Sequence, residues 1–185
     1  MSRKLSEVRY RVITADPPWS FGDKLPGPGR GAEKHYSVMS TDDICAFPLP
    51  PVEDDSLLFL WRVSAMQEEA LRVVRAWGFV PKSEIVWVKT SGKPTVLGPN
   101  LAFGMGRYVR ASHETCLVCA RGRASALVRD HSVRSVFFAP RQEHSRKPEE
   151  FYGLVERLAP GPYVELFARH RRPGWTQFGD ELEEI

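Results

Sequence analysis

The sequence predicts an α/β layered fold built on a largely parallel sheet. Three observations carry that expectation. Short strand-like apolar runs recur along the chain, two segments with helical spacing stand among them, and the run at 56–61 is apolar at nearly every position, as in a strand covered on both faces. With 185 residues, 42% hydrophobic and 26% charged, the chain has the composition of an ordinary globular protein large enough for its own core. A single domain over 1–185 is expected, and disordered, collagen-like and disulfide-stapled classes are excluded.

Taken in order, residues 10–15 form a strand stopped by Asp16-Pro17-Pro18, because two prolines remove backbone donors and a central strand cannot continue through them. Residues 56–61 form the second strand. Ser64, followed by Gln67 three residues on, reads as a capping box for a helix whose apolar face is Ala65, Leu71, Val74 and Trp77 and whose stop is Gly78. Residues 84–89 alternate, with Ile85 and Trp87 on one face and Val86 and Val88 on the other. Strands at 115–120 and 133–138 follow, then a helix at 148–158 opened by Pro148, Glu149 and Glu150 and closed before Pro160-Gly161, then a strand at 163–167. Residues 20–40 and 90–110 lack periodicity and are longer than most connections, a length usually tied to function or mobility. Ligands of such sheets bind at the carboxyl ends of the strands.

No run of 18 apolar residues and no export signal precede or interrupt this pattern, and the three cysteines, Cys45, Cys116 and Cys119, read as reduced thiols; a cytoplasmic protein is expected. From Arg107 to Lys147 there are nine Lys/Arg against three acids, whereas 42–84 holds eight acids against four bases. The first segment suits a polyanion such as nucleic acid, or else is a solvated surface. A phosphate loop is absent, Gly104-Met105-Gly106 lacks the third glycine of a dinucleotide fingerprint, and no Gly-x-Ser-x-Gly elbow occurs. Cys116 and Cys119 are three apart in a strand and so point to opposite faces, which argues against a metal site. Trp61, Trp77 and Trp87 fall in strand or helix patterns and are expected in the core.

The sharpest feature is Asp16-Pro17-Pro18-Trp19 at the end of the first strand, a tetrapeptide expected by accident in about one chain per thousand of this composition. A carboxylate at a strand end, stiffened by Pro-Pro and followed by a large flat ring, suits hydrogen bonding and stacking of a planar polar group. The plainer reading makes Asp16 a turn cap and Trp19 a core residue.

Together with DPPW at 16–19, the blocks HETCLVCARG at 113–122, HSRKPEEFYGLVERLAPG at 144–161 and ELFARHRRPGWTQFGDE at 165–181 resemble the MT-A70-like family of adenine-N6 methyltransferases, in the family's order across essentially the whole chain. The resemblance implies a Rossmann-like methyltransferase fold with helices on both faces of the sheet, S-adenosyl-L-methionine as methyl donor, and adenine as target. Exocyclic N6 is a poor nucleophile because its lone pair is delocalised into the ring, so the site needs acceptors rather than a metal. The Asp16 carboxylate and the Pro17 carbonyl are placed to accept its two N–H bonds, with Pro18 as an apolar wall and Trp19 as a stacking platform. By the same resemblance Asp16, Lys147, Arg169, Asp180 and Glu181 form the donor site: Lys147 meets the donor's carboxylate and Arg169 its carboxylate or ribose. Asp180-Glu181 stands where many relatives carry Asn-Gln; Asp180 can still bind a ribose hydroxyl, but Glu181 has no amide donor. His144 belongs to the donor or substrate wall or is structural, and His113 is read as structural.

For the substrate strand the candidates are Lys24, Arg30, Lys34, His35 and Tyr36 on the first long loop and Lys93, Arg107 and Arg110 on or near the second, the charges tracking phosphate and Tyr36 flanking the base; solvated loop charges are the alternative. The expected activity is N6-adenine methylation of nucleic acid, DNA ahead of RNA. The other readings are the same activity on RNA adenosine and a non-catalytic nucleic-acid-binding partner subunit. A homodimer, or a heterodimer with a related chain, is the expected assembly, with no membrane contact.

Overall fold

The computed structural model describes residues 8–20, 38–93, 98–104, 108–142 and 146–179. Its centre is a seven-stranded sheet of β1 (Tyr10–Ala15), β2 (Val52–Arg62), β3 (Val80–Thr90), β4 (His113–Arg121), β5 (Val136–Pro140), β6 (Tyr163–Leu166) and β7 (Trp175–Phe178), in the order β5-β3-β4-β2-β1-β6-β7. Every neighbouring pair is parallel except those of β4, which runs antiparallel to both β2 and β3. The largely parallel sheet is therefore present, with one reversed strand inside it. β1 pairs with β2 on one side and β6 on the other, so the chain leaves β1 in one direction and returns on the opposite flank. That reversal opens a crevice at the carboxyl end of β1.

Helices cover both faces, as the α/β pattern requires. α1 (Thr41–Ala46) and α2 (Gln67–Ala76) pack Ile44, Ala70, Val73 and Val74 against Ile13, Leu58, Leu60 and Val164. On the other face α3 (Glu149–Leu158) packs Phe151, Tyr152 and Val155 against Val12, Phe59 and Trp61, helped by a 3-10 turn at Ala124–Leu127. Phe151 is completely buried between Phe59 and Trp61, with ring centroids 6.2 and 4.8 Å away. Cys116 belongs to the α3-side core and Cys119 to the α1/α2-side core, the opposite orientation expected from strand alternation. Trp61, Trp77 and Trp87 are all buried, and the last two donate their indole N–H to the carbonyls of Ile44 and Ala139 at 3.0 Å.

Several boundaries differ from the sequence expectation. Ser64 does not cap α2: the helix starts at Gln67, Met66 stands at its N-cap, and no side chain caps it there. Met66 is buried in the α1/α2-side core, so packing and not capping places that end. β3 begins at Val80 because its register shifts between Pro81 and Ser83, which lets a proline into the ladder. β5 runs 136–140 instead of 133–138, and Pro140 is tolerated because β5 is an edge strand. α1, capped by the Ser40 hydroxyl accepting from the Asp43 N–H at 3.1 Å, and β7 were not anticipated. Within 90–110, part of the chain folds back on itself: the Ala102 N–H donates to Lys89 at 2.9 Å and the Gly104 N–H to Ala111 at 2.8 Å.

Candidate active site

β1 delivers Asp16 to the crevice, and the backbone after it is tied down. The Trp19 N–H donates to the Pro17 carbonyl at 2.8 Å, the Met39 N–H to the Pro18 carbonyl at 2.8 Å, and the Ser20 N–H to the Met39 carbonyl at 3.0 Å. Trp19 itself turns inward. Only 5% exposed, it packs in the α1/α2-side core and donates its indole N–H to the Trp61 carbonyl at 3.1 Å. The stacking platform expected at Trp19 is thus a core ring, the plainer of its two sequence readings, because burying a large apolar ring with its N–H satisfied outweighs leaving it open.

Asp16 is the first member of a row of four alternating charges. Lys147 Nζ lies 2.6 Å from Asp16 Oδ2 and 3.1 Å from Glu114 Oε2, and Lys89 Nζ lies 2.6 Å from Glu114 Oε1. Strand pairing assembles it. Glu114 faces Trp87 across the β3–β4 ladder, Lys89 follows two residues on along the same face, and Lys147 enters just before Pro148, the N-cap of α3. The two ammonium groups also sit over aromatic rings, Lys147 at 5.0 Å from the Trp61 centroid and Lys89 at 5.2 Å from that of Trp87. Lys147 is only 7% exposed, and burial alone would lower its pKa; Asp16 and Glu114 outweigh that and hold it above the ordinary lysine value. Burial would likewise raise Glu114, but Lys147 and Lys89 prevail and hold its carboxyl below the usual range. Two cations matched by two anions keep the row neutral, which is what makes its burial tolerable.

A second cluster borders the first. The Tyr152 hydroxyl donates to Glu165 Oε1 at 2.6 Å and Gln177 Nε2 donates to Glu165 Oε2 at 2.8 Å. Arg172 lies 3.8 Å over the Tyr152 ring, pairs with Glu149, and gives its backbone N–H to Gln177 Oε1. Glu165 behaves unlike Glu114: burial raises its pKa despite the two hydrogen bonds it accepts. Phe167, just past β6, has φ 60°, a left-handed backbone that a bulky side chain adopts only when its surroundings enforce it. Beside it, Gly179 lies so close to the Ala168 backbone that any side chain there would collide. Between the two clusters runs a crevice lined by Asp16, Lys147, Tyr152, Glu165, Phe167 and Arg169.

The structure therefore brings Asp16, Pro17, Pro18, Lys147 and Arg169 to one edge of the sheet. Lys147 is engaged by two carboxylates of this chain, Asp16 and Glu114. Arg110 and Lys93 are exposed on the 90–110 segment, and His113 is exposed at the start of β4. Lys24, Arg30, Lys34, His35, Tyr36, Arg107, His144, Asp180 and Glu181 lie outside the described residues. Sequence reasoning passed over Glu114, Lys89, Tyr152, Glu165 and Gln177. Glu114 was in view inside the HETC block, and its acidic side chain on the inner face of an otherwise buried strand was the available signal. Among the described residues there is no cluster able to hold a metal ion.

Comparison with known proteins adds the relatives. The sequence model of the MT-A70 family matches residues 10–181. An N(6)-adenosine-methyltransferase MT-A70-like protein of Drosophila melanogaster is 32% identical over 96% of this chain and 28% of its own length. The human N(6)-adenosine-methyltransferase catalytic subunit METTL3 is 30% identical over 96% of this chain and 29% of its own. The type II methyltransferase M.MunI of Mycoplasma sp is 26% identical over 98% of this chain and 81% of its own. The chain thus spans less than a third of the first two relatives.

Proposed function

The chain belongs to the MT-A70 family, and from that premise we propose that it methylates the N6 amine of adenine in nucleic acid. The observation that carries the reading is the Asp16 carboxylate, set at the carboxyl end of β1 where the strand order reverses and held there by buried Lys147. S-adenosyl-L-methionine, the proposed donor, supplies an electrophilic methyl group on a sulfonium. The crevice suits such a zwitterion chemically, since Arg169 can answer its carboxylate while Asp16 and Glu165 can answer its ammonium and hydroxyl groups. It is shallow, about 40 Å³, so the described residues hold a ligand across the edge of the sheet and do not engulf it.

The protein's own groups do the positioning. Lys147 occupies Oδ2 of Asp16, and a carboxylate has acceptor capacity to spare for an amine N–H. Accepting that N–H draws the N6 lone pair away from the ring and stabilises positive charge as it develops on nitrogen. The Pro17 carbonyl already accepts from Trp19 and has a second lone pair for the other N–H. Lys147 holds Asp16 in place through their 2.6 Å hydrogen bond, and Glu114 helps keep Lys147 charged, so the row as a whole sets the angle of the reacting amine. In a duplex substrate the base must first be flipped out of the stack.

DNA is the polymer we place first, supported by the match to the type II methyltransferase over most of both chains. The relatives named for adenosine, a ribonucleoside, support RNA as the second reading. A partner subunit, a second copy or a related chain, is part of the proposal. Purified protein incubated with tritiated donor and matched DNA and RNA oligonucleotides, followed by nucleoside mass analysis, is expected to yield N6-methyladenine. Asp16→Ala is expected to be about 10- to 150-fold slower, the equivalent of one charged hydrogen bond. Transfer at the wild-type rate in that variant would overturn the assignment of Asp16.

A further inference from the structure

Among the described residues, the basic segment 107–147 does not form one patch, because β4 carries the chain from the carboxyl end of the sheet to its amino end and β5 brings it back. Arg121, Arg123, Arg129 and Arg134 are consequently placed away from Asp16, around the amino ends of β2 and β3. There the α3-side face of the sheet is left partly open beyond the 3-10 turn, and a hollow of about 520 Å³ opens. Its floor is Leu57 of β2, Ile85 of β3, and Val118 and Ala120 of β4, with Val128 and Leu158 as walls. The volume falls inside the range of about 300–1,000 Å³ typical of small-molecule clefts, and a mostly apolar lining with a few polar groups is the usual form of such clefts.

Charge at the rim narrows the ligand. Lys82 and Arg134 are exposed at the mouth, and neither has an acidic partner among the described residues. The one acid there, Glu84, is 3.8 Å from Arg62. We propose that this hollow is a second binding site, distinct from the crevice at Asp16, for a small amphipathic anion whose apolar chain or ring lies on the strand floor and whose carboxylate or sulfonate meets Lys82 and Arg134. The inference stands on the hollow and its rim alone and does not depend on methyl transfer.

Dodecanoate is the test ligand, with 1-anilinonaphthalene-8-sulfonate as a fluorescent competitor and dodecanol as the uncharged control. The whole chain, titrated under amide NMR, is expected to bind one dodecanoate saturably, with shifts confined to the lining of the hollow: 57, 82–85, 118–125, 128, 133–135 and 158. Charge reversal at two exposed positions, Lys82→Glu with Arg134→Glu, is expected to weaken dodecanoate by about tenfold or more while leaving dodecanol unchanged. Ser125→Trp, an exposed rim position that can be filled without touching the core, should compete with both ligands. No saturable binding at millimolar dodecanoate, shifts centred on Asp16 or Lys147, or equal affinity in the charge-reversed protein would each overturn the proposal.

Discussion

The two ends of one sheet are built on opposite principles. At the carboxyl end, charged groups are drawn inward and linked in alternation, Asp16 with Lys147, Lys147 with Glu114, Glu114 with Lys89. At the amino end the inward positions are Leu57, Ile85, Val118 and Ala120, and the charges stay on the rim in water. The same strands supply both ends: on its α3-side face β4 begins with Glu114 and ends with Ala120. What differs is the cost of error. An aliphatic floor tolerates substitution of like volume, whereas a buried ion left without its partner carries the full penalty of desolvation.

That contrast can be broken most directly at its centre. Lys147→Met keeps much of the side-chain volume and removes the cation from between two carboxylates, and it should cost about 3 kcal/mol, the lower end for a broken buried pair because both acids are about a quarter exposed. Urea midpoints measure this, and methyl transfer should fall with it. Next comes Glu114→Gln, expected to cost about 1.5–3 kcal/mol at neutral pH as a charged hydrogen bond is lost. Because the folded-state pKa of Glu114 is depressed, its contribution is present above the ordinary carboxylate value and is lost as pH falls through the folded value; the variant should therefore show a flatter acid limb of stability against pH. Glu165 has the opposite sign. Its raised pKa gives stability that is full below the ordinary value and lost as pH rises through the folded one, so Glu165→Gln should remove a weakening that the wild type shows on the way to neutrality.

Smaller still is Gln177→Ala, which removes the hydrogen bonds to Glu165 and to the Arg172 backbone and should cost about 1–2 kcal/mol. Because it loosens the segment that carries Arg169, its clearer readout is a higher KM for the donor at nearly unchanged kcat. Least affected should be Lys82→Met at the amino end, within about 0.5 kcal/mol of wild type in the same urea assay. A Lys82 variant as damaging as Lys147→Met would erase the distinction between the two ends.

The sequence carried the strand–helix alternation, the stop at Pro17-Pro18, the facing directions of Cys116 and Cys119, and the placement of Asp16 at a strand end, because each depends on neighbours a few residues apart. It did not carry the partner of Lys147, since Asp16 is 131 residues away and only the sheet order brings them together. Trp19 shows the same limit: a ring after Pro-Pro can face either way, and the Trp61 carbonyl 42 residues on decides it. Ser64 had the spacing of a cap, but the apolar side chain of Met66 found a core position first. The reversal of β4 was equally hidden, for a run covered on both faces looks the same in either direction.

The placement of the cysteines has a practical corollary. Cys116 and Cys119 are sealed on opposite sides of one strand, where burial pushes both thiols up, Cys119 to about 12, while half-buried Cys45 sits on α1. The folded protein should therefore consume one equivalent of an alkylating reagent and the unfolded protein three. Without any engineering, the molecule offers a single chemical handle on the α1 side, on which a fluorophore or spin label can report local opening.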